Sequence, residues 1–192
     1  MLSKKVGEAM LENHQIELLK TLSNLVGVSG HEEKILQFVS EQLPFCTKEQ
    51  DKLGSGLFSL GEGDLSIMFA THMDEVGFVV SSINERGYVS IQPVGNMWAH
   101  TLLQQLVTIT TSDGRQWTGI IGGPQTHAIS PEARKKVVAM EELFIDLGVD
   151  SRESIQEMGI EVGDIVSLVS TCQTIGLNQE YMIGKALDNR VS

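Results

Sequence analysis

The first part of the chain carries two segments in which apolar residues recur at helical spacing. In the first segment, the apolar positions lie between Ile16 and Val26. In the second, Ser29 with Glu32 three residues later predicts a capping box. The same spacing predicts a buried face for that second helix, made of Ile35, Leu36, Val39 and Leu43. The sequence therefore predicts two amphipathic helices within residues 1–45.

From Val76 onward the apolar residues alternate with a period of two, which is typical of half-buried strands. One strand pair is predicted around a turn at residues 84–87, and another around Asp113–Gly114, a strong hairpin signal. Two further strands are predicted at 143–149 and 162–170. The intervening helix is predicted to be capped by Asp150 with Glu153. Residues 76–171 are thus predicted to form a β domain.

Between these parts, residues 51–67 alternate glycines with short apolar pieces, which suits strands and tight turns beside a helix layer. Ile67–Ala70 is predicted to be a strand of the core sheet. No repeat or long Gly/Ser linker separates the part with helical spacing from the part with period-two alternation. We therefore expect an α/β domain, made of residues 1–75 and 172–192, into which a small β domain is inserted.

Composition and charge limit the classes of protein to which the chain can belong. A hydrophobic content of 41% suffices for a packed core, and a formal net charge of -11 argues against general affinity for nucleic acid. No apolar run is long enough to span a membrane. The two cysteines, Cys46 and Cys172, form no disulfide framework, so a reducing, cytoplasmic location is expected.

The candidate chemistry begins at the end of the apolar run, where His72 and Asp74 stand two positions apart. Side chains alternate along an extended backbone, so both point to the same side, and the carboxylate can orient the imidazole. A ligating histidine usually donates its second ring N–H to such a partner. The spacing is common in a chain with five histidines and 25 acids. By itself it fits a metal ligand or a histidine that packs or caps a strand end.

The remaining candidates carry weaker signals. A surface or loop role is favoured over ligation for the other histidines, His14, His31, His100 and His127. Ser130 has no evident partner base, which disfavours a serine nucleophile. The segment around Met97, Trp98 and Leu102 fits either a core or an exposed contact patch.

Six short motifs occur in a fixed order along the chain. They are "GVSGHEE" (27–33), "THMDEVGF" (71–78), "SPEARKKV" (130–137), "LFIDLG" (143–148), "GIEVGD" (159–164) and "GKALDNRV" (184–191). Together these motifs resemble those of the glutamyl aminopeptidase family. The members of this family are dinuclear metallo-aminopeptidases, the best-known of which form tetrahedral particles, and some are named endoglucanases or cellulases. The resemblance extends from about Ile16 to Val191.

The resemblance implies roles for three residues. His72 matches a ligand of one of two divalent metals, zinc or cobalt, and Asp188 matches an aspartate that bridges both. Asp74 then orients His72. The resemblance also implies a cis peptide bond after Asp188, a phosphorylase/hydrolase-like catalytic domain and a PDZ-like β-barrel insert that takes part in homo-oligomer contacts. The implied reaction is removal of N-terminal residues from peptides by a metal-activated water.

The sequence departs from the family pattern after Asp188. The family's Glu-Glu pair, which supplies the general base and a ligand, and its further Asp and His are expected downstream of that position. Glu141–Glu142 imitates the pair but stands inside the predicted insert, where a solvated charge pair is favoured. We therefore expect an N-terminal piece that binds one metal or none and lacks activity by itself.

Two other classes stay open at this stage. The chain could be a non-catalytic interaction or regulatory module that uses its β insert. Among enzymes, a co-catalytic deacylase or carboxypeptidase shares the H-x-D pair and a bridging aspartate, although "THMDEVGF" and "ALDNRV" fit the aminopeptidase better.

Overall fold

The computed structural model describes residues 2–3, 5–6, 9–124, 130–132 and 135–191. The chain divides into two compact units, one made of Met1–Glu75 and Ser170–Ser192 and the other of Val76–Val169. In chain order the strands are β1 (Leu2–Ser3), β2 (Lys5–Val6), β3 (Ala9–Met10), β4 (Thr47–Gln50), β5 (Gly56–Ser59), β6 (Gly77–Ile83), β7 (Val89–Val94), β8 (Leu106–Thr110), β9 (Gln116–Gly122), β10 (Phe144–Asp146), β11 (Ile165–Leu168), β12 (Gln173–Ile175) and β13 (Tyr181–Ile183). The helices are α1 (Asn13–Asn24), α2 (Glu33–Gln42), α3 (Arg152–Glu157) and α4 (Leu187–Arg190), the last an irregular single turn.

The two predicted N-terminal helices are present as α1 and α2. Ile16 of α1 packs with Cys172 and Met182 in a small core, and Ile35 of α2 is fully buried. The predicted cap at Ser29 is wrong, because α2 begins only after Glu32. Gly30 turns the chain with a positive φ of 88°, and its N–H donates to the Glu32 carboxylate at 2.8 Å. The helix therefore begins beyond that turn.

The sheets of the first unit are small and antiparallel. Strands β4 and β5 form a hairpin, and β13 lies between β1 and β12. The Asp51 carboxylate closes the hairpin turn by accepting from the N–H groups of Leu53 and Ser55 at 2.9 and 2.8 Å. These two hydrogen bonds lower the pKa of Asp51, the larger effect coming from Ser55. A single parallel bridge joins Val28 to Glu75.

The predicted core strand at Ile67–Ala70 is wrong. These residues have no strand assignment and are exposed, with Phe69 retaining 92% of its accessible surface. An extended segment becomes a strand only when a neighbour accepts and donates its backbone hydrogen bonds. Within the described part of the chain, no strand is paired with residues 67–70. The apolar run has the composition of a strand, but the described residues give it no paired neighbour.

The second unit is a closed six-stranded barrel with the strand order β10-β7-β6-β11-β8-β9. Every neighbouring pair is antiparallel, and β9 pairs with β10 to complete the closure. The inward-facing side chains form one continuous core, in which Phe78, Val80, Val89, Ile109, Ile121, Ile145 and Val166 are almost fully buried. The predicted period-two pattern thus corresponds to a barrel whose alternate residues fill its interior.

Both predicted turns join barrel strands. Residues 84–87 connect β6 to β7, and Asp113–Gly114 lies between β8 and β9, where Gly114 has a φ of 86°. The predicted cap of α3 is displaced by one residue, since Ser151 and not Asp150 accepts from the Ser154 N–H. The segment around Trp98 is part core and part exposed surface, because Leu102 is buried in the barrel core whereas Trp98 is 62% exposed.

Among the described residues, no helix has the length and apolar character needed to cross a membrane.

Candidate metal centre

His72 and Asp74 contact each other directly. The Nδ1 atom of His72 lies 2.9 Å from Oδ1 of Asp74, and the exposed His72 and half-buried Asp74 both precede the parallel bridge at Glu75. Donation of the Nδ1–H to the carboxylate leaves the lone pair on Nε2, which is the arrangement of a histidine prepared to bind a metal.

Asp188 lies on the other side of the same imidazole. Its Oδ1 is 3.5 Å from Nε2 of His72, although the two residues are far apart in the chain. Asp188 lies inside the irregular turn α4 with non-helical angles, and the peptide bond that follows it is cis, as the resemblance implies. The structure thus brings His72, Asp74 and Asp188 together.

A buried ion cluster lies beneath these exposed side chains. The Glu75 carboxylate accepts hydrogen bonds from Lys185 Nζ at 2.7 Å and from the Gly27 N–H at 3.1 Å. Burial lowers the pKa of Lys185, and the hydrogen bond and charge of Glu75 act against that shift. The ion pair therefore offsets part of the cost of burying both groups.

Arg190 is the second cation of this cluster and the most deeply buried of its members. Its Nε donates to the Met73 carbonyl at 2.7 Å, and its Nη1 donates to the carbonyls of Leu22 and Leu25 at 2.8 and 2.7 Å. Nη2 lies 3.9 Å from Oε1 of Glu75 and has no hydrogen-bond partner within the described ranges. Burial lowers the pKa of the guanidinium, which nevertheless stays protonated in proteins.

The other candidate residues lie away from this cluster or outside the described part of the chain. His14 is near Glu12, and the ring of His100 packs at a tilt on Trp98 with centroids 5.1 Å apart. Glu142 caps its own 3-10 turn by accepting from the Ala139 N–H at 3.1 Å. His127 lies outside the described residues, and His31 is exposed.

The donor set suits a divalent metal but is small. An imidazole nitrogen and a carboxylate oxygen facing each other are ligands that zinc and cobalt both accept. Across residues 2–3, 5–6, 9–124, 130–132 and 135–191, no cluster of three or more His, Cys, Asp or Glu side chains is spaced to hold a metal ion. His72 and Asp188 therefore fit as part of a metal shell.

Sequence reasoning assigned no role to Glu75, Lys185, Arg190 or Thr71. The available signal was their position, because these residues belong to the same motifs, "THMDE" and "GKALDNR", as His72, Asp74 and Asp188. Charged residues are seldom buried unless they are paired. A Glu that directly precedes an apolar strand, as Glu75 does, therefore indicates a buried partner for its charge.

Comparison with known proteins gives the family. The model of the M42 glutamyl aminopeptidase family matches residues 54–192. The Escherichia coli (strain K12) protein FrvX is 34% identical over 178 residues, which cover 92% of this chain and 49% of FrvX. The chain thus spans about half the length of the curated relatives it matches.

Solved structures agree with this assignment. The TET aminopeptidase from the marine sediment archaeon Thaumarchaeota archaeon SCGC AB-539-E09 superposes with a TM-score of 0.87 and 38% identity over 93% of this chain and 51% of that one. The Pyrococcus horikoshii TET1 peptidase, which can assemble into a tetrahedron or a large octahedral shell, gives a TM-score of 0.80 and 30% identity over 92% of this chain and 52% of that one. On the family match and these likenesses, the chain belongs to the M42 glutamyl aminopeptidase family.

Proposed function

We propose that the chain carries the His72 and Asp188 part of the dinuclear metal site of an aminopeptidase that removes N-terminal residues from peptides. The observation that carries the proposal is the alignment Asp74–His72–Asp188, with contacts of 2.9 and 3.5 Å on the two ring nitrogens. Family membership supplies the reaction class. The same alignment supports the roles of His72 and Asp188 as ligands and of Asp74 as the group that orients His72.

The residues of this chain would perform two tasks. Asp74 holds the Nδ1–H of His72, so that Nε2 presents its lone pair. Asp188 would hold metal through its carboxylate, which an almost fully exposed side chain leaves accessible. Zinc or cobalt, when bound, would supply an activated water and polarisation of the scissile carbonyl.

The isolated chain is proposed to bind one metal through His72 and Asp188 and to lack turnover. A catalytic zinc takes at least three protein ligands, and the described residues bring two candidates together. Turnover of aminoacyl chromogenic substrates by the purified chain, with loss of turnover on adding a chelator, would contradict this part. Cobalt binding that disappears in both His72→Ala and Asp188→Ala would support the metal site, and binding unaffected by either substitution would refute it.

The barrel unit is proposed to be the PDZ-like insert and to contribute to homo-oligomer contacts. Its closed six-stranded form and the shell-forming Pyrococcus horikoshii neighbour support this proposal. A cytoplasmic location is proposed with it, since Cys46 and Cys172 are both free thiols. Light scattering of the purified chain, with and without the barrel substitution Trp98→Ser, tests the oligomer.

A second candidate function is a non-catalytic interaction or regulatory module. The exposed Trp98, stacked on His100, is the observation that favours it, because aromatic side chains are enriched at protein interfaces. Stoichiometric binding of nearly two metals per chain would exclude this reading in favour of the enzyme.

A further inference from the structure

Two hydrogen bonds bracket His72 along the chain. The Thr71 hydroxyl donates to the Asn189 carbonyl at 3.0 Å, and Arg190 Nε donates to the Met73 carbonyl at 2.7 Å. One bond involves the residue before His72 and the other the residue after it. The histidine is therefore fixed to the opposing segment on both sides.

The opposing groups belong to the two residues that follow Asp188 directly. Asn189 accepts one bond and Arg190 donates the other. The segment that carries His72 is therefore bonded to the segment that carries Asp188 at positions no more than two residues from either side chain. The segments are 117 residues apart between Met73 and Arg190. Short-range chain geometry therefore cannot set their separation, and these two hydrogen bonds from side chains to backbone carbonyls join the segments directly.

The ligand side chains have little packing of their own. The His72 side chain is 55% exposed and that of Asp188 is 98% exposed. Apart from the contact between His72 and Asp74, little else holds these side chains, so the backbone that carries each one limits the positions it can reach. The distance between Nε2 and Oδ1 thus depends chiefly on how firmly segments 71–73 and 188–190 are joined.

Arg190 also bonds these two segments to the end of helix α1. Its Nη1 donates to the carbonyls of Leu22 and Leu25 at the C-terminal end of α1, where helix carbonyls lack intrahelical partners and the dipole is negative. The planar guanidinium can serve all three carbonyls at once because its donors form a rigid fork.

We propose that Thr71 and Arg190 are positioning residues that fix the separation between the His72 imidazole and the Asp188 carboxylate. They do so by joining the two ligand segments through the Asn189 and Met73 carbonyls. The inference rests on the proposed function, since the separation matters only if the two side chains share a metal site.

The test compares variants of the full 192-residue chain. Thr71→Val removes the hydroxyl from an exposed residue with little change of shape, and Thr71→Ser restores it. Arg190→Lys keeps the positive charge but replaces the planar set of guanidinium N–H donors by a single ammonium group. Thr101→Val is the matched control, because the Thr101 hydroxyl also donates to a carbonyl, that of Trp98 at 2.9 Å, but in the barrel unit.

Two readouts are needed. The first is the cobalt(II) affinity with the visible absorption spectrum of the bound ion, which responds to ligand geometry. We expect Thr71→Val and Arg190→Lys to weaken affinity by about 10-fold and to alter the spectrum, as loss of supporting groups around metal ligands does. We expect Thr71→Ser to recover the wild-type values and Thr101→Val to retain them.

The second readout is the amide nitrogen–proton NMR spectrum of the metal-free chain. The amides of residues 188–190 should shift and broaden in Thr71→Val and return in Thr71→Ser. If Arg190→Lys fails to fold, the Thr71 variants decide the question. The proposal is overturned if the amides of 188–190 in Thr71→Val coincide with those of the wild type.

The outcomes separate the two proposals. Wild-type chain that binds no cobalt through His72 and Asp188 overturns the metal site, whereas the metal-free spectra still decide whether Thr71 positions segment 188–190. Wild-type chain that binds cobalt, with unchanged affinity and spectrum in Thr71→Val and Arg190→Lys, overturns the positioning role and leaves the metal site intact.

Discussion

Lys185 donates a hydrogen bond to the carboxylate of Glu75 at 2.7 Å, and both side chains are almost entirely buried. The same carboxylate receives the Gly27 N–H and lies near Arg190. A buried pair of this kind is costly to break on one side, because the remaining charge stays buried without its partner. The ion pair is therefore expected to control the stability of the first unit.

The Glu75–Lys185 pair gives a stability prediction. Glu75→Gln and Lys185→Met should each lower the free energy of unfolding by about 3 kcal/mol. The double variant should lose less than the sum, because the two residues contact each other. Urea unfolding followed by circular dichroism measures these free energies.

The matched control is the exposed pair of Arg152 and Glu85, which lie 3.0 Å apart on the barrel unit. Arg152→Met should cost less than about 1 kcal/mol, since exposed ion pairs contribute little. A Glu75→Gln variant as stable as Arg152→Met would show that the buried pair does not stabilise the fold.

Asp74 gives a prediction about metal affinity. Asp74→Ala removes the carboxylate that fixes the His72 ring, so cobalt affinity should fall by about 10-fold. Competition with a coloured chelator measures the affinity. Asp64→Ala, which removes an exposed carboxylate of the same unit, should leave the affinity unchanged. Equal affinities in the two variants would exclude an orienting role for Asp74.

Asp113 gives a prediction about pH. Hydrogen bonds from the Thr111 hydroxyl and the Arg115 N–H lower its pKa below the ordinary value of 3.8. A depressed pKa contributes stability above the unfolded-state value, and that contribution is lost as pH falls through the folded-state value. The melting temperature of the wild type should thus fall more than that of Asp113→Asn when pH is lowered from 6 to about 3.

Thr111→Val tests the cause of this pH effect. It removes the hydrogen bond that contributes most to the shift, so its acid-induced loss of melting temperature should resemble that of Asp113→Asn more than that of the wild type. Identical acid sensitivity in all three proteins would argue against a role for this turn.

The exposed run Ile67–Phe69 gives a prediction about association. Its three side chains retain at least 74% of their accessible surface, and apolar patches of this kind promote contacts between molecules. Phe69→Lys should shift the purified chain toward monomer, as measured by light scattering after size-exclusion chromatography. Leu177→Lys, at an equally exposed but separate leucine, should have a smaller effect. A mass distribution that Phe69→Lys leaves unchanged would exclude this segment from association.

Features set by local sequence were predictable. The Asp113–Gly114 turn and the alternation in β6 to β9 gave strands in the correct places, because hairpins depend on residues close in sequence. The strand at Ile67–Ala70 was wrong for the opposite reason. Its apolar pattern favours an extended conformation, but a strand also needs a hydrogen-bonded neighbour. The described residues place no neighbouring strand beside it.

The site divides in the same way. The motif resemblance identified His72, Asp74 and Asp188, and the structure brings the three together. The buried contacts of Glu75, Lys185 and Arg190 were missed because no periodic pattern marks them. Each contact depends on tertiary pairing between segments distant in the chain. A long polar side chain is read as exposed unless such a partner is known.

The closed barrel has a topological consequence for how such proteins can diversify. Its first strand, β6, pairs antiparallel with its last strand, β11, and Phe78 lies opposite Val166. The entry and exit of the barrel segment are therefore neighbours, which is the geometry that tolerates insertion or removal of a whole domain. We expect a barrel with adjacent ends to tolerate new surface loops, or replacement by another domain, with little change to the chain on either side of it.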